Sequence, residues 1–340
     1  MAEGGKRILL GGGAAALLTV ALAAAWFWQH YRQFLETPLK LPEKGLVVEV
    51  AGGETAAGVA RRLEAKGVLD SAALLRFHLR LHPELGKIKA GEYLLEAGTT
   101  PVTMLKLLVS GHTRLHEITF PEGWTFRQWR RAMDRHPALK HRLTGLSDAQ
   151  VMERLGHPGV HPEGRFFPDT YLFPKGFSDL QLLQRAWRRM EQELSRAWKE
   201  RAEGLPLNTP DELLILASIV EKETARPDER RRIAGVFVRR LRKGMKLQTD
   251  PTVIYGMGAR YQGNIRRSDL REDTPYNTYV HAGLPPTPIC MPGRAALQAA
   301  AHPAQGKALY FVARGDGSHQ FSETLRGHNR AVRRYQLKKR

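Results

Sequence analysis

The chain has 340 residues, 42% of them hydrophobic, enough for two domains and a sizeable core. Lys and Arg number 53 against 34 Asp and Glu, a net charge of +19, which calls for an anionic partner: nucleic acid, a lipid surface or a polymer bearing carboxylates. No zinc-finger spacing, RNP-like aromatic motif or P-loop is found, which counts against nucleic acid. The single cysteine, Cys290, excludes an internal disulfide and a multi-cysteine metal site and reads as a buried small hydrophobe.

In chain order, Ile8 to Trp28 is a run without charge, long enough to span a bilayer. Lys6 and Arg7 precede it, so residues 1–7 are expected in the cytoplasm, with 8–28 as an anchor. Trp26, Phe27, Trp28 and Tyr31 would form its interfacial belt. A cleaved signal peptide is the rival reading, because Ala21-Leu22-Ala23 resembles a small-x-small site. Either way the remainder lies outside the cytoplasm. Residues 29–44 read as a Pro-containing linker.

Residues 45–111 predict a small α+β module. "LVVEV" is a strand, a helix runs from about Thr55 to Lys66, a second starts at the N-cap Ser71, and "GEYLLEAG" is another strand. Thr100 and Pro101 open a third helix that Gly111 ends. The larger mixed α+β region covers 115–340. "HEITF" predicts a strand and "EGWTFRQWRRAM" turns into a helix. From Ser178 to about Ala202, Leu180, Leu183, Trp187, Met190, Leu194 and Trp198 recur at helical spacing, opposite a face rich in arginine.

"ELLILASIVEKET", from Glu212, sets the central question. Thr209 with Glu212 forms a capping-box pattern and Pro210 suits the first helical position. Leu213 to Val220 are apolar or small on nearly every face, so the helix should be buried, yet it ends in Glu221 and Glu223. At ~100° per residue these two carboxylates diverge by ~200°. A carboxyl held among apolar neighbours resists ionisation and can act as a general acid near neutral pH. An ordinary ion pair with Lys222 or Arg226 is the simpler reading.

Three loops add groups suited to sugars. "KLQTDPTVIYGMG" brings Gln248, Thr249, Asp250 and Thr252 beside a Pro turn. "TPYNTYVHAGLPPTPICMPG" carries Asn277, Thr278 and Tyr279. "HPEGRFFPDTYLFPKG" joins Glu163, Asp169 and Thr170 with aromatics. His157 and His161 have possible ligand spacing, but the adjacent Pro and Gly argue for a turn, so no metal and no cofactor is expected. His302, His319 and His328 read as structural hydrogen-bonders.

"LASIVEKET", "LQTDPTVIYGMG", "YNTYVHAGLPPTPI", "EGRFFPDTYLF" and "AAAHPAQGKALYFVARGDGSHQFSETLRGHN" together resemble the YceG-like endolytic murein transglycosylases, nearly to the C-terminus. The resemblance implies that residues 45–111 are LysM-like and that 115–340 cleave peptidoglycan glycan strands. It places the catalytic glutamate on Glu221 and assigns Gln248, Asp250, Thr252, Asn277, Tyr279 and Glu163 to substrate. Glu221 would protonate the oxygen between N-acetylmuramic acid and N-acetylglucosamine, then accept the proton of the muramic acid O6 hydroxyl as it closes a 1,6-anhydro ring. Cys290, where a small residue such as Ala is expected, is a mild departure. The implied setting is a single-pass inner-membrane enzyme with its catalytic domain in the periplasm, working beside peptidoglycan synthases. A wall hydrolase, or a wall-binding scaffold without catalysis, are the alternatives.

Overall fold

The computed structural model describes residues 4–337, with side chains from Leu17 onward. The chain divides into two compact units, the first comprising residues 1–116 and 173–175, the second 117–172 and 176–340.

In the first unit, α1 (Gly4–Glu36) is one continuous helix. Among the described residues no helix is long and apolar enough to cross a membrane; residues 8–16 of the expected 8–28 span lie outside the described side chains. The helix continues into the segment expected to be linker and ends at Glu36. Tyr31, placed in an interfacial belt by sequence, is instead 3% exposed, and its hydroxyl sits 2.6 Å from His78 Nδ1. Phe77 packs edge-on against both Tyr31 and Phe27, and Phe34 and Leu39 join the unit's core. The C-terminal turns of α1, from Tyr31 on, are thus a packing surface for their own unit, while Leu17, Leu18, Val20, Leu22, Trp26 and Trp28 are exposed.

Strands β1 (Leu46–Val50) and β2 (Gly91–Leu95) pair antiparallel, with Val48 opposite Tyr93. Between them lie α2 (Ala56–Ala65) and α3 (Ala72–Leu81), and α4 (Pro101–Ser110) follows. Thr55, Ser71 and Thr100 cap these helices through their hydroxyls, and Gly111 closes α4 at φ 78°. The inward residues Val48, Val59, Leu63, Leu75, Tyr93, Leu95 and Leu105 form the core. The order β-α-α-β plus a helix matches the periodicity of the sequence.

Strands β3 (Leu115–Thr119) and β4 (Thr170–Pro174) form a second two-stranded sheet. The second unit then contains α5 (Phe126–Asp134), α6 (Asp148–Arg154), α7 (Asp179–Lys199), α8 (Pro210–Glu223), α9 (Pro227–Arg242), α10 (Asp250–Met257) and α11 (Arg294–Ala301). An antiparallel hairpin of β5 (Tyr310–Ala313) and β6 (His319–Ser322) precedes α12 (Leu325–Val332). Helix α8 is the hub, packed by α7, α9, α10 and α11, and every residue from Leu213 to Val220 is buried. Its cap is half of the expected box: Thr209 accepts from Glu212 N–H, but the Glu212 carboxylate turns to Asn208 N–H. Pro251, read as a turn signal, instead lies in the first turn of α10, where a missing N–H costs nothing. Cys290 is fully buried, its thiol 3.3 Å from Ser218 O, and burial pushes its pKa up.

Candidate active site

Helix α8 runs out of apolar residues at Val220, and its last turn delivers two carboxylates to different surroundings. Glu221 meets the segments at 122–124 and 291–293. Its side chain is 6% exposed, its Oε2 accepts Gly293 N–H at 3.0 Å, and Arg230 approaches Oε1 at 3.6 Å. Arg230 also faces Glu122 at 3.9 Å. Burial raises the Glu221 pKa; the Gly293 N–H opposes this and the Glu122 charge reinforces it. Gly293 precedes the first residue of α11, so Glu221 acts as a carboxylate cap borrowed from another helix. A Cβ there would displace the Glu122 carboxyl, the end of a flexible and partly exposed side chain.

Glu223 meets a cleft of about 530 Å³. Its lining includes Gln248, Asp250 and Tyr279 together with Arg240, Tyr310 and His319. Thr249 Oγ1 donates to Glu223 Oε1. Burial drives the Glu223 pKa up to about 7, against the Thr249 hydrogen bond and with help from the neighbouring Asp250 charge. Asp250 accepts the Tyr279 hydroxyl at 2.6 Å, and burial and this bond raise the phenol's pKa.

The cleft wall is held under strain. Gln248 has φ 51°, the one positive φ outside glycine among the described residues. Two anchors impose it: Gln248 N–H donates to Thr278 O at 3.1 Å, and Arg240 Nη1 donates to Lys246 O, Leu247 O and Gln248 Oε1. Arg240 Nε reaches across to Leu309 O at 2.7 Å, beside β5.

The structure therefore divides the residues that the sequence grouped. Gln248, Asp250 and Tyr279 share one cleft with Glu223, while Glu221 does not line it. Thr252 and Asn277, expected at substrate, are fully buried. The Thr252 hydroxyl binds Thr249 O and Thr278 Oγ1, and the Asn277 amide donates to Asp269 O and Glu272 O while accepting Tyr279 N–H. Both shape the loops under the cleft and offer no surface to a ligand. Glu163 is buried as well, accepting Phe126 N–H at 3.0 Å and the Tyr255 hydroxyl at 3.1 Å. Burial raises its pKa to about 7. It ties α5 to α10 and lies outside the cleft lining. Two residues that the sequence reading set aside, Glu223 and His319, stand in the lining instead. The ~200° phase between Glu221 and Glu223 was legible; which side the cleft occupies was not.

The YceG-like family model matches residues 48–334. An endolytic murein transglycosylase from Bacillus subtilis is 30% identical over 323 residues, covering 90% of this chain and 89% of that protein. One from Streptococcus pneumoniae is 27% identical over 361 residues, covering 93% of this chain and 63% of that protein. A crystal structure of a yceG-like protein from Listeria monocytogenes superposes with a TM-score of 0.53 at 29% identity, covering 85% of this chain and 99% of that one. By the extent of these matches, the chain belongs to the YceG-like family.

Proposed function

We propose that the chain is an endolytic lytic transglycosylase of peptidoglycan, and that Glu223 is its general acid. One observation carries this reading: a carboxyl whose burial keeps it protonated to about pH 7 lies in the cleft that gathers Gln248, Asp250 and Tyr279. Glu223 gives its proton to the oxygen joining N-acetylmuramic acid to N-acetylglucosamine, which leaves with the second sugar. The muramic acid O6 hydroxyl attacks C1 and closes a 1,6-anhydro ring. That hydroxyl's proton then needs an acceptor in the cleft, and the Glu223 carboxylate left by the first step is one. The nucleophile belongs to the substrate, so the reaction needs no second carboxylate, unlike hydrolysis with inversion or retention.

Purified chain acting on isolated glycan strands tests this by the mass of the product ends. Anhydro ends are lighter by one water than reducing ends. Reducing ends alone would identify a hydrolase, for which Asp250 is the second carboxyl of the cleft. Binding with no new ends at all would leave a wall-binding scaffold.

A second reading keeps Glu221 as the acid. It is favoured by the raised pKa of this nearly enclosed carboxyl and by the position to which the family resemblance points. Its carboxylate, however, already caps α11 and faces Arg230, a cation that favours the ionised form.

We also propose that the first unit, LysM-like in its β-α-α-β order, holds the glycan polymer, and that Ile8 to Trp28 anchors the chain in the inner membrane with the catalytic unit in the periplasm, near the synthases that make its substrate. The anchor rests on the charge-free run and the basic residues before it.

A further inference from the structure

The cleft holds a second proton-handling group that the reading above leaves idle. His319 opens β6 and lines the same cleft as Glu223. Glu229, in the first turn of α9, is a buried carboxylate whose two oxygens are both spent on this one residue. Oε1 accepts His319 N–H at 2.9 Å, and Oε2 lies 2.6 Å from His319 Nδ1. A carboxylate only accepts, so Nδ1 carries a proton, and in the neutral ring Nε2 bears the free lone pair. Nε2 has no protein partner among the described residues. Phe311 and Phe321 pack edge to face against the ring, and the side chain keeps 12% exposure. A buried carboxylate fixing one ring nitrogen of a histidine that lines a cavity is the arrangement that makes imidazole a base, because the carboxylate steadies the imidazolium that forms.

We infer that His319 is the general base of the cleft, with Glu229 as its positioning residue. The inference rests on the transglycosylase reading and names the proton acceptor that reading requires. His319 Nε2 takes the proton of the attacking O6 hydroxyl as the O6–C1 bond forms. The bond from C1 to the bridging oxygen breaks, and that oxygen leaves with the proton of Glu223. The products are the anhydro ring, a free hydroxyl, a Glu223 carboxylate and a His319 imidazolium. Proton transfer from His319 back to Glu223 through cleft water completes the turnover, with no net proton consumed and no redox partner needed.

Dividing acid and base between Glu223 and His319 removes the need for one carboxylate to serve both sugar oxygens. The other ionisable groups around the histidine do not compete for the role. Arg240 lies over the Tyr310 ring and cannot accept a proton, Asp250 is occupied by Tyr279, and His328 stacks on Tyr310.

The test uses full-length protein and isolated glycan strands, with anhydro ends counted by mass spectrometry. Wild type is assayed first. If it forms no anhydro ends, the transglycosylase reading falls, and the base assignment falls with it by a distinct route. With wild type active, His319→Ala is expected to lower kcat by about 10²–10³-fold with KM changed less than about threefold, and added imidazole to restore kcat at least about tenfold. Glu229→Gln, which keeps an acceptor for the backbone N–H but disfavours the required tautomer, is expected to lower kcat without imidazole rescue while binding strands normally. A kcat for His319→Ala within about threefold of wild type would overturn the inference. So would a loss that imidazole leaves untouched, since that would assign His319 to packing. Should Glu229→Gln fail to fold, His319→Ala with imidazole decides alone.

Discussion

Glu221 and Glu223 sit two residues apart at the end of the same helix, and the difference between their surroundings is the most informative contrast in the molecule. Both are desolvated by α8 and its neighbours, and both are pushed toward the protonated form. Glu221 finds a backbone N–H and a guanidinium, so its environment suits a fixed anion that caps α11. Glu223 finds a hydroxyl, a second carboxylate and an open cleft, so its environment suits an acid that gives up its proton. Burial alone does not separate a structural carboxyl from a catalytic one; the partners and the access do.

Exchanging each carboxylate in turn breaks or confirms the contrast most strongly. Glu223→Gln is expected to fold and lose about 10²–10⁴-fold in turnover, whereas Glu221→Gln should stay within about tenfold of wild type. The reverse ranking in single-turnover cleavage would install Glu221 as the acid. Next comes the cap: Gly293→Ala has to move only the flexible Glu122 carboxyl, with an expected cost of at most about 1 kcal/mol in urea unfolding. A larger loss would show that the Glu221 side of the helix is rigid.

The pH dependence sharpens the same contrast. Glu223 and Glu163 each have a folded pKa of about 7 against an ordinary 4.5, so the folded chain holds more protons than the unfolded one between those values. Their contribution to stability is full below about pH 4.5 and is lost as pH rises through about 7. Replacing both by glutamine should flatten that decline in unfolding titrations; a slope identical to wild type would contradict the raised values. The smallest effect concerns Gln248. Glycine there relieves the positive φ and should stabilise by about 0.5–1 kcal/mol while weakening strand binding, because the amide is removed from the cleft. Destabilisation instead would mean that the amide's bond to Arg240 outweighs the strain.

Local physics made much of this readable in the sequence. The cap at Ser71, the helix start at Thr100, the amphipathic period of α7 and the unbroken apolar run of α8 are each set by residues near in the chain, and all appear in the structure. The β5–β6 hairpin and helices α9 to α12 went unassigned because their segments are short or dense in arginine, and their burial comes from distant partners such as Arg240 with Leu309. Tyr31 was misplaced for a similar reason: an aromatic near an apolar run reads as interfacial until His78, 47 residues on, supplies its hydroxyl with a partner. Among the site residues, Asp250 and Tyr279 were identifiable as polar groups in loops. That Thr252 and Asn277 turn inward depends on which backbone carbonyls the folded loops leave to be satisfied, and sequence spacing does not encode that.

Arg240 joins the chain leading into Gln248 to the start of β5 through one planar guanidinium. Because a single rigid group ties together two segments that contribute to the gorge lining, their spacing depends on that side chain as well as on the loops. Lysine, with a compact ammonium on a flexible stem, lacks the planar fork that holds both segments at a fixed spacing. Reshaping this gorge for bulkier saccharides would therefore begin at position 240, well beneath the surface that a saccharide touches.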